Sequence, residues 1–480
     1  MFTKQQVPDE IIKLAQKFQD AGYELYLVGG SVRDIFLQRN SEDYDFTTNA
    51  LPDDTERILR DWANVVFDVG KKFGTIAGIK YANNRVDEQA NDDKDVKVEI
   101  TTFRADEYDG KTRKPVVSFG DNIADDLCRR DFTVNAMALR LPNVEFVDLH
   151  NGLSDLNAKV LRTPIEPDIS FADDPLRMMR AVRFVSTLKG YEIERETYDS
   201  IVKNAGQIQK VSNERVRDEL EKLLLGADPV QGIKMFVNTG LSAYVLPELP
   251  ALMLTTDPQH HHKDVYAHSL KVLQQAVDLE PEYTGRPDLI LRLAGLLHDI
   301  GKPRTRRFGE NGKVMFYNHD AYGAKLTKQI LTRLRFDSVT VNQVAELVRL
   351  HMRFYGYMDA GWSDAGVRRY VHDAGELLPR LHALTRADVT TQNKRLSDRL
   401  SFAYDDLEQR IVKLREQEEL DSIRPVLNGD EIMEILHLKP SKQVGEAYKF
   451  LLDRRMELGV ETKDEAKKAL LEWNSAISNE

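Results

Sequence analysis

A chain of 480 residues, 41% hydrophobic and 30% charged, is long enough for more than one domain and too evenly mixed to be disordered. Its net charge of −11 argues against a broadly basic nucleic-acid coat, yet leaves room for a local basic cleft. A single cysteine, Cys128, excludes an intrachain disulfide and a thiolate zinc cluster.

The opening "MFTKQQVPDEIIKLAQ" has no apolar signal core and reads as an amphipathic helix. No apolar run is long enough to span a bilayer. The expectation is a cytoplasmic chain with no membrane partner. "YELYLVGG" and "DYDFTTN" then read as strands, with "VRDIFLQ" starting a helix between them. "VVFDVGKKFGTIAGIKY" and "VKVEITTFRA" read as further strands, and the polar stretch around 83–97 as a solvated hairpin loop. From about 151 the strand pattern stops and apolar residues recur at helical spacing. The glycine of "LLLGAD" and the proline after it mark a helix stop. The fold class predicted is α+β: a mixed β-sheet head followed by an elongated all-α body. Boundaries are expected at 1–150 for the head, 151–228 for a helical neck, 229–395 for a histidine-bearing domain and 396–480 for a helical tail.

The first cluster with chemistry is "YLVGGSVRDIFLQRNSEDYDFTT". Gly29 and Gly30 let the backbone come close to a ligand, and the helix that follows turns unpaired N–H groups outward. Arg33 adds a planar donor fork suited to phosphate. Asp43 and Asp45 share one strand face, where they repel unless a cation lies between them; hard oxygen ligands suit Mg²⁺. Such a cation can activate a hydroxyl and stabilise departing pyrophosphate. The bland alternative is a tight turn followed by a solvated acidic strand. Glu99 in "VKVEITTF" is a candidate third carboxylate, or an exposed strand residue.

This stretch resembles the nucleotidyltransferases that add CCA to tRNA 3′ ends, in the bacterial class shared with poly(A) polymerases. "CRRDFTVNAMAL", "NGLSDLNAKVLR", "DDPLRMMRAVRF" and "SNERVRDEL" resemble later motifs of that family, in family order, over roughly residues 20–225. The resemblance implies a nucleotidyltransferase-type head that uses CTP and ATP on tRNA. It implies that Asp43 and Asp45 are catalytic and hold Mg²⁺, and that Gly29, Gly30, Arg33 and Arg130 position the triphosphate. Asp131 and Asn135 would bind the ribose or brace their loop; both types are also good helix caps. Asp174 and Arg177 match the pair that reads the base. A carboxylate accepts from an exocyclic amine and a guanidinium donates to ring acceptors, an arrangement that fits cytosine and adenine but not uracil or guanine.

Arg180 and Arg183 extend Arg177 into a stripe on one helix, which reads either as support for the nucleotide or as a salt-bridged surface helix. The family usually has Glu-Asp where this chain has Asp173-Asp174. "DEYDGKTRKPVVSFGD" matches the family's flexible loop, whose presence favours full CCA addition.

Histidines cluster in "QHHHKDVYAHSL", "LLHDIGKP", "FYNHD" and "VRLHMRF". The order resembles an HD-type phosphohydrolase domain. It implies a metal site of His268, His298, Asp299 and Asp388, with His319 and His351 as the extra ligands of two-metal versions. Imidazole with carboxylate suits Mn²⁺, Ni²⁺, Fe, Co²⁺ or Zn²⁺, with Mg²⁺ also open. The run His260–His262 reads as surface, and the basic "KPRTRRF" as an RNA contact or a solvated stretch. The tail "LNGDEIMEILHLKPSKQVGEAYKF" resembles the tRNA-holding helices of HD-containing members, or an ordinary helical end-domain; Pro440-Ser441-Lys442 stands where Pro-Gly-Pro is more usual. Rival readings stay open: a poly(A) polymerase or an enzyme adding only CC or only A, a non-catalytic RNA-binding protein, and an HD phosphohydrolase acting on 2′,3′-cyclic phosphate ends as the main or a second activity. The sequence specifies no oligomeric state.

Overall fold

Apolar alternation and two glycine turns build the head of this computed structural model, which describes residues 7–39, 43–82, 95–107, 116–120, 122–253, 264–308, 314–390, 393–418 and 424–477. The chain divides into two units, 1–215 with 234–244 and 216–233 with 245–480.

In the first unit, α1 (Asp9–Asp20) buries Ile11, Leu14, Ala15 and Phe18 along one stripe. A sheet follows, made of β1 (Leu25–Val28), β2 (Asp43–Thr48), β3 (Val65–Gly70), β4 (Thr75–Lys80) and β5 (Val96–Thr102). Beyond the short pair β6 (Arg104–Glu107) and β7 (Val116–Phe119) come its last strands, β8 (Met137–Leu141) and β9 (Glu145–Asp148). The order is β3-β4-β5-β2-β1-β8-β9. Only β2 and β5 pair in parallel, so the sheet is mixed as expected. Helix α2 (Gly30–Phe36) links β1 to β2, and α3 (Pro52–Arg60) starts with a proline at its first turn. A Cβ at Gly78 would stand 3.2 Å from the Ala63 side chain and 3.4 Å from Leu59, so α3 and its exit close over that face. The other face, near β1, carries a small core of Tyr26, Val28, Phe103, Leu127 and Ala138, with Leu127 supplied by α4 (Ile123–Cys128).

Helices α5 (Gly152–Ala158), α6 (Pro167–Asp173), α7 (Leu176–Thr187) and α8 (Arg195–Asn204) continue this unit. At Gly152 an added Cβ would lie 2.2 Å from the Thr133 carbonyl oxygen, so only glycine lets α5 seat on the 3₁₀ turn Thr133–Asn135. Two short strand pairs break the expected all-helical pattern after 151: Val160–Leu161 with Glu192–Ile193, and Arg306–Phe308 with Val314–Phe316. Two or three residues are too few to give a readable alternation, and pairing across the fold decides them.

The second unit is helical. Helices Val265–Tyr283, Leu289–Leu297, His319–Arg333, Ser338–Leu350 and Leu378–Ala387 pack together. At Gly301 a Cβ would meet the His319 carbonyl oxygen at 2.3 Å, so the glycine of "DIGKP" lets helix His319–Arg333 come close. The buried pair Arg292–Glu280 (2.7 Å) also donates from Arg292 to the carbonyls of Leu224 and Gly226. Three terminal helices enclose a core of Leu427, Ile432, Leu436, Ala447, Leu451, Ala466 and Leu470. Among the described residues no helix is long and apolar enough to cross a membrane.

Candidate active site and metal centre

Register places the acidic residues of the head. On β2, Asp43 and Asp45 point to one side, and the parallel partner β5 sets Glu99 directly opposite Asp45. Glu99 thus joins the pair that the sequence singled out. The protein packed around Asp45 raises its pKa; Arg130 pulls it down and Asp43 pushes it up. Burial, then Asp45 and Asp43, raise Glu99. Crowded oxygen acids whose charges oppose each other are a donor set that fits a hard divalent cation.

The glycine turn comes next to these acids. Gly29 has φ +72°, where a side chain is strained, and a Cβ there would stand 3.0 Å from Arg130 Nη1 and 4.0 Å from Asp45 Oδ2. Gly30 opens α2. The Ser31 hydroxyl donates to the Asp43 carbonyl (3.2 Å) and accepts from the Asp45 N–H (3.3 Å), tying the turn to β2. Arg130 donates to Asp126 at 3.0 Å, and its buried Nε has no partner in the protein. A buried guanidinium nitrogen without an acceptor suits an anion beside the acids.

Arg33, expected as a donor fork for the triphosphate, has its donors engaged within the protein. It is buried, donates to Asn135 Oδ1 (2.8 Å) and pairs with Asp34 (2.8 Å). Asn135 donates to Asp131 (2.9 Å), which also accepts from the Phe132 N–H and, through its other oxygen, from Arg180 (2.5 Å). Burial works to raise Asp131, but Arg180 and the hydrogen bonds win and hold it at about 2. These residues form one chain, Asp34–Arg33–Asn135–Asp131–Arg180, running from α2 to α7.

The arginine stripe of α7 places three like charges on one helix, which repel. Internal partners already relieve that repulsion. Arg177 donates to Ser170 Oγ (2.8 Å) and to the Arg129 carbonyl, and Arg180 pairs with Asp131. Arg183 lies 3.9 Å from the centroid of the Phe184 ring, over which Arg33 and Arg180 also sit, at 5.4 and 5.7 Å. Asp174 accepts from the Leu176 N–H at 3.1 Å, which starts α7, and from Arg215 at 2.8 Å. The flexible-loop residues 108–115 and the run His260–His262 lie outside the described residues.

In the second unit six predicted ligands converge. His268, His298 and Asp388 form one set, and Asp299, His319 and His351 another, with ligand atoms within 4.8 Å inside each set. Among the described residues these two sets alone close to that spacing, so the acids of the head stand more open. Asp299 joins them: Oδ2 lies 3.2 Å from His298 Nε2, and Oδ1 lies 3.4 Å from His319 Nε2. Nδ1 of His298, His319 and His351 donates to the carbonyls of Gly295, Phe316 and Val348, which leaves each Nε2 turned to the centre. Nε2 of His319 and His351 and Oδ1 of Asp299 are buried without a hydrogen-bond partner. Orphaned ligand atoms in a fixed tautomer fit divalent ions, which these six residues would hold. A cavity of about 650 Å³ opens over the set.

Comparison with known proteins completes the picture. Residues 25–162 match the family described as "Poly A polymerase head domain", 190–253 that described as "Probable RNA and SrmB- binding site of polymerase A", and 265–393 the HD domain. An A-adding tRNA nucleotidyltransferase of Deinococcus radiodurans is 38% identical over 371 residues, 76% of this chain and 82% of that protein. The chain belongs to the tRNA nucleotidyltransferase family.

A CCA-adding enzyme of Limosilactobacillus reuteri is 41% identical over 230 residues, 48% of this chain and 52% of its own length. The match to such CCA-adding relatives thus spans about half the length of each. The fold is shared with the CCA-adding enzyme of Bacillus stearothermophilus in complex with CTP (TM-score 0.69, 24% identity, all of both chains). It is also shared with the Thermotoga maritima enzyme complexed with tRNA (TM-score 0.60, 17% identity, 97% and 96% of the two chains). As a tRNA nucleotidyltransferase, this chain is an enzyme that also carries an HD domain.

Sequence reasoning passed over several residues of both sites. In the head it missed Phe184, the ring under three guanidiniums, whose only signal was its position one residue after Arg183. Around the HD set it missed Lys302, 2.6 Å from Asp299, and Tyr355, whose hydroxyl donates to Asp388 at 3.3 Å. It also missed Thr390, 3.1 Å from His268 Nδ1. Lys302 stands in "DIGKP", three residues after the aspartate, and was within reach of the spacing; Tyr355 comes from a different helix and was not.

Proposed function

We propose that this tRNA nucleotidyltransferase adds CCA to tRNA 3′ ends from CTP and ATP without a nucleic-acid template, releasing pyrophosphate. One observation carries the transfer chemistry: the β2–β5 register that sets Glu99 beside Asp45, with Arg130 and the bare Gly29 backbone at the same corner. The order of nucleotides rests on the CCA-adding relatives, which match about half of this chain. Asp43 and Asp45, flanked by Glu99, would hold Mg²⁺. Bound there, the ion supplies Lewis-acid polarisation of the phosphate and lowers the pKa of the attacking hydroxyl. Gly29, Gly30 and Arg130 receive the triphosphate. Arg33, Asn135, Asp131 and Arg180 form the rigid link that orients the pocket relative to α7. Asp174 and Arg177 offer an acceptor and a donor to the base, with Arg183 farther along α7 on the Phe184 ring. A tRNA substrate and a single cysteine support a cytoplasmic location.

The test is extension of tRNA lacking its terminus with CTP alone, ATP alone and both. Full CCA product from the mixture is the expected result. Addition of A alone, and only to tRNA ending in CC, would instead align the chain with its Deinococcus radiodurans relative. Asp43→Ala with Asp45→Ala is expected to lower incorporation by at least about a thousandfold while circular dichroism stays unchanged. Incorporation at the parent rate would remove the metal assignment.

The orphaned ligand atoms of the HD set favour a second activity, hydrolysis of a phosphate ester such as a 2′,3′-cyclic phosphate end. His268, His298, Asp299, His319, His351 and Asp388 would hold the divalent pair, which supplies charge neutralisation at phosphate and an activated water.

A further inference from the structure

The sheet face that carries the acids does not stop at Glu99. Residues paired in register point to one side of a sheet, so cross-strand pairs can be followed as rows. One row reads Asp45, Glu99, Ala77, Phe67 across β2, β5, β4 and β3. The next reads Asp43, Lys97, Ile79, Val65. The opposite face is closed by α3, against which Gly78 packs. This face stays open at its β3 end, where Phe67 is 43% exposed, Val69 52% and Phe73 50%. Ala77, small and buried between Glu99 and Phe67, keeps the row low. Three strand spacings separate Phe67 from Asp45, ~14 Å, the reach of about two nucleotides.

Direction comes from the chemistry. Attack at a phosphoryl group is in line, so the nucleophile arrives from the side opposite the departing pyrophosphate. Gly29 and Arg130 mark the pyrophosphate side, beside β1. Glu99, Ala77 and Phe67 lie on the other flank of Asp45. The RNA end therefore crosses the row toward β3. Cations accompany that path: Lys97 beside Asp43 in register, and Lys72, whose ammonium sits 4.9 Å from the centroid of the Phe73 ring.

We propose that Phe67 is a positioning residue of the transferase, a stacking platform for a base of the RNA 3′ end that seats the terminal hydroxyl at the carboxylates. Val65 and Val69 frame it, and Lys72 and Lys97 face the RNA backbone. An aromatic ring on an open sheet accepts any base by stacking, which suits a primer whose last nucleotides change as it grows. This inference rests on the transfer reading above.

The experiment is steady-state addition of A to tRNA ending in CC by the full chain, comparing Phe67→Ala, Phe67→Tyr and the parent. Phe67→Ala is expected to raise the KM for tRNA about tenfold, with a much smaller change in kcat. Phe67→Tyr is expected to restore the parent KM, and ATP binding measured without RNA to keep its parent affinity, which reports an intact fold. An unchanged KM for tRNA in Phe67→Ala overturns the proposal. So does a loss that Phe67→Tyr does not repair, or a change of oligomeric state between parent and Phe67→Ala in light scattering, which would mark the patch as a protein contact. A parent enzyme that extends no tRNA defeats the transfer reading instead, so the two failures are distinct.

Discussion

Asp131 shows how one buried side chain can tie together distant parts of the head. It is fully inside the protein, yet it accepts from Phe132, Asn135 and Arg180, and those partners overcome burial to keep it ionised down to about pH 2. A carboxylate depressed from the ordinary 3.8 gives stability that is fully present above about pH 4 and lost as pH falls through about 2. The contribution is about 2 kcal/mol, so the acid limb of an unfolding titration is expected between those values. Asp131→Asn should flatten that limb. Asp131→Ala should cost about 3 kcal/mol in urea, because it strips Arg180 and Asn135 of an acceptor. An acid limb unchanged in Asp131→Asn would show that the pair contributes nothing.

Elements here are positioned by close backbone contacts more than by helix preference. The seven-residue α5 is too short to be stable alone, and its place depends on Gly152 resting against the Thr133 carbonyl. Asp148 reinforces it, accepting from the N–H groups of Gly152 (2.7 Å) and Leu153 (3.0 Å). Gly152→Ala must push α5 off the Thr133–Asn135 turn that presents Asn135 to Arg33. The expected loss is about 3 kcal/mol, with nucleotide affinity falling alongside. Thermal melts and CTP titration of the same variant check both; a melt within a degree of the parent would mean that the turn yields freely.

At the scale of the whole molecule, two sites of different chemistry stand in different units. The head gathers carboxylates and arginines around a glycine turn; the second unit gathers imidazoles and two aspartates at metal-ligand spacing. Because each unit has its own core, the sites should be separable. His298→Ala with Asp299→Ala is expected to abolish Mn²⁺ or Ni²⁺ binding in calorimetry and any phosphoesterase activity, while CCA incorporation continues. Unchanged ion binding in that variant would remove His298 and Asp299 as ligands.

The sequence by itself carried the chemistry that depends on spacing. Asp43 and Asp45, two apart on a strand, had to share a face, and Arg177, Arg180 and Arg183, three apart on a helix, had to form a stripe. The mixed head, the helical body and the ordered HD set were legible for the same reason, since local periodicity and motif order are properties of the chain. What only the tertiary structure decided were the pairings between distant segments. Glu99 of "VKVEITTF" was a candidate third carboxylate, but only strand pairing set it opposite Asp45 and carried the same row to Phe67. Arg33 read as a donor fork for the triphosphate, yet long-range partners bury it; Tyr355 reached Asp388 from a helix with no motif of its own. Strand register and burial are set by contacts between residues far apart in the chain, and such contacts leave no local period to read.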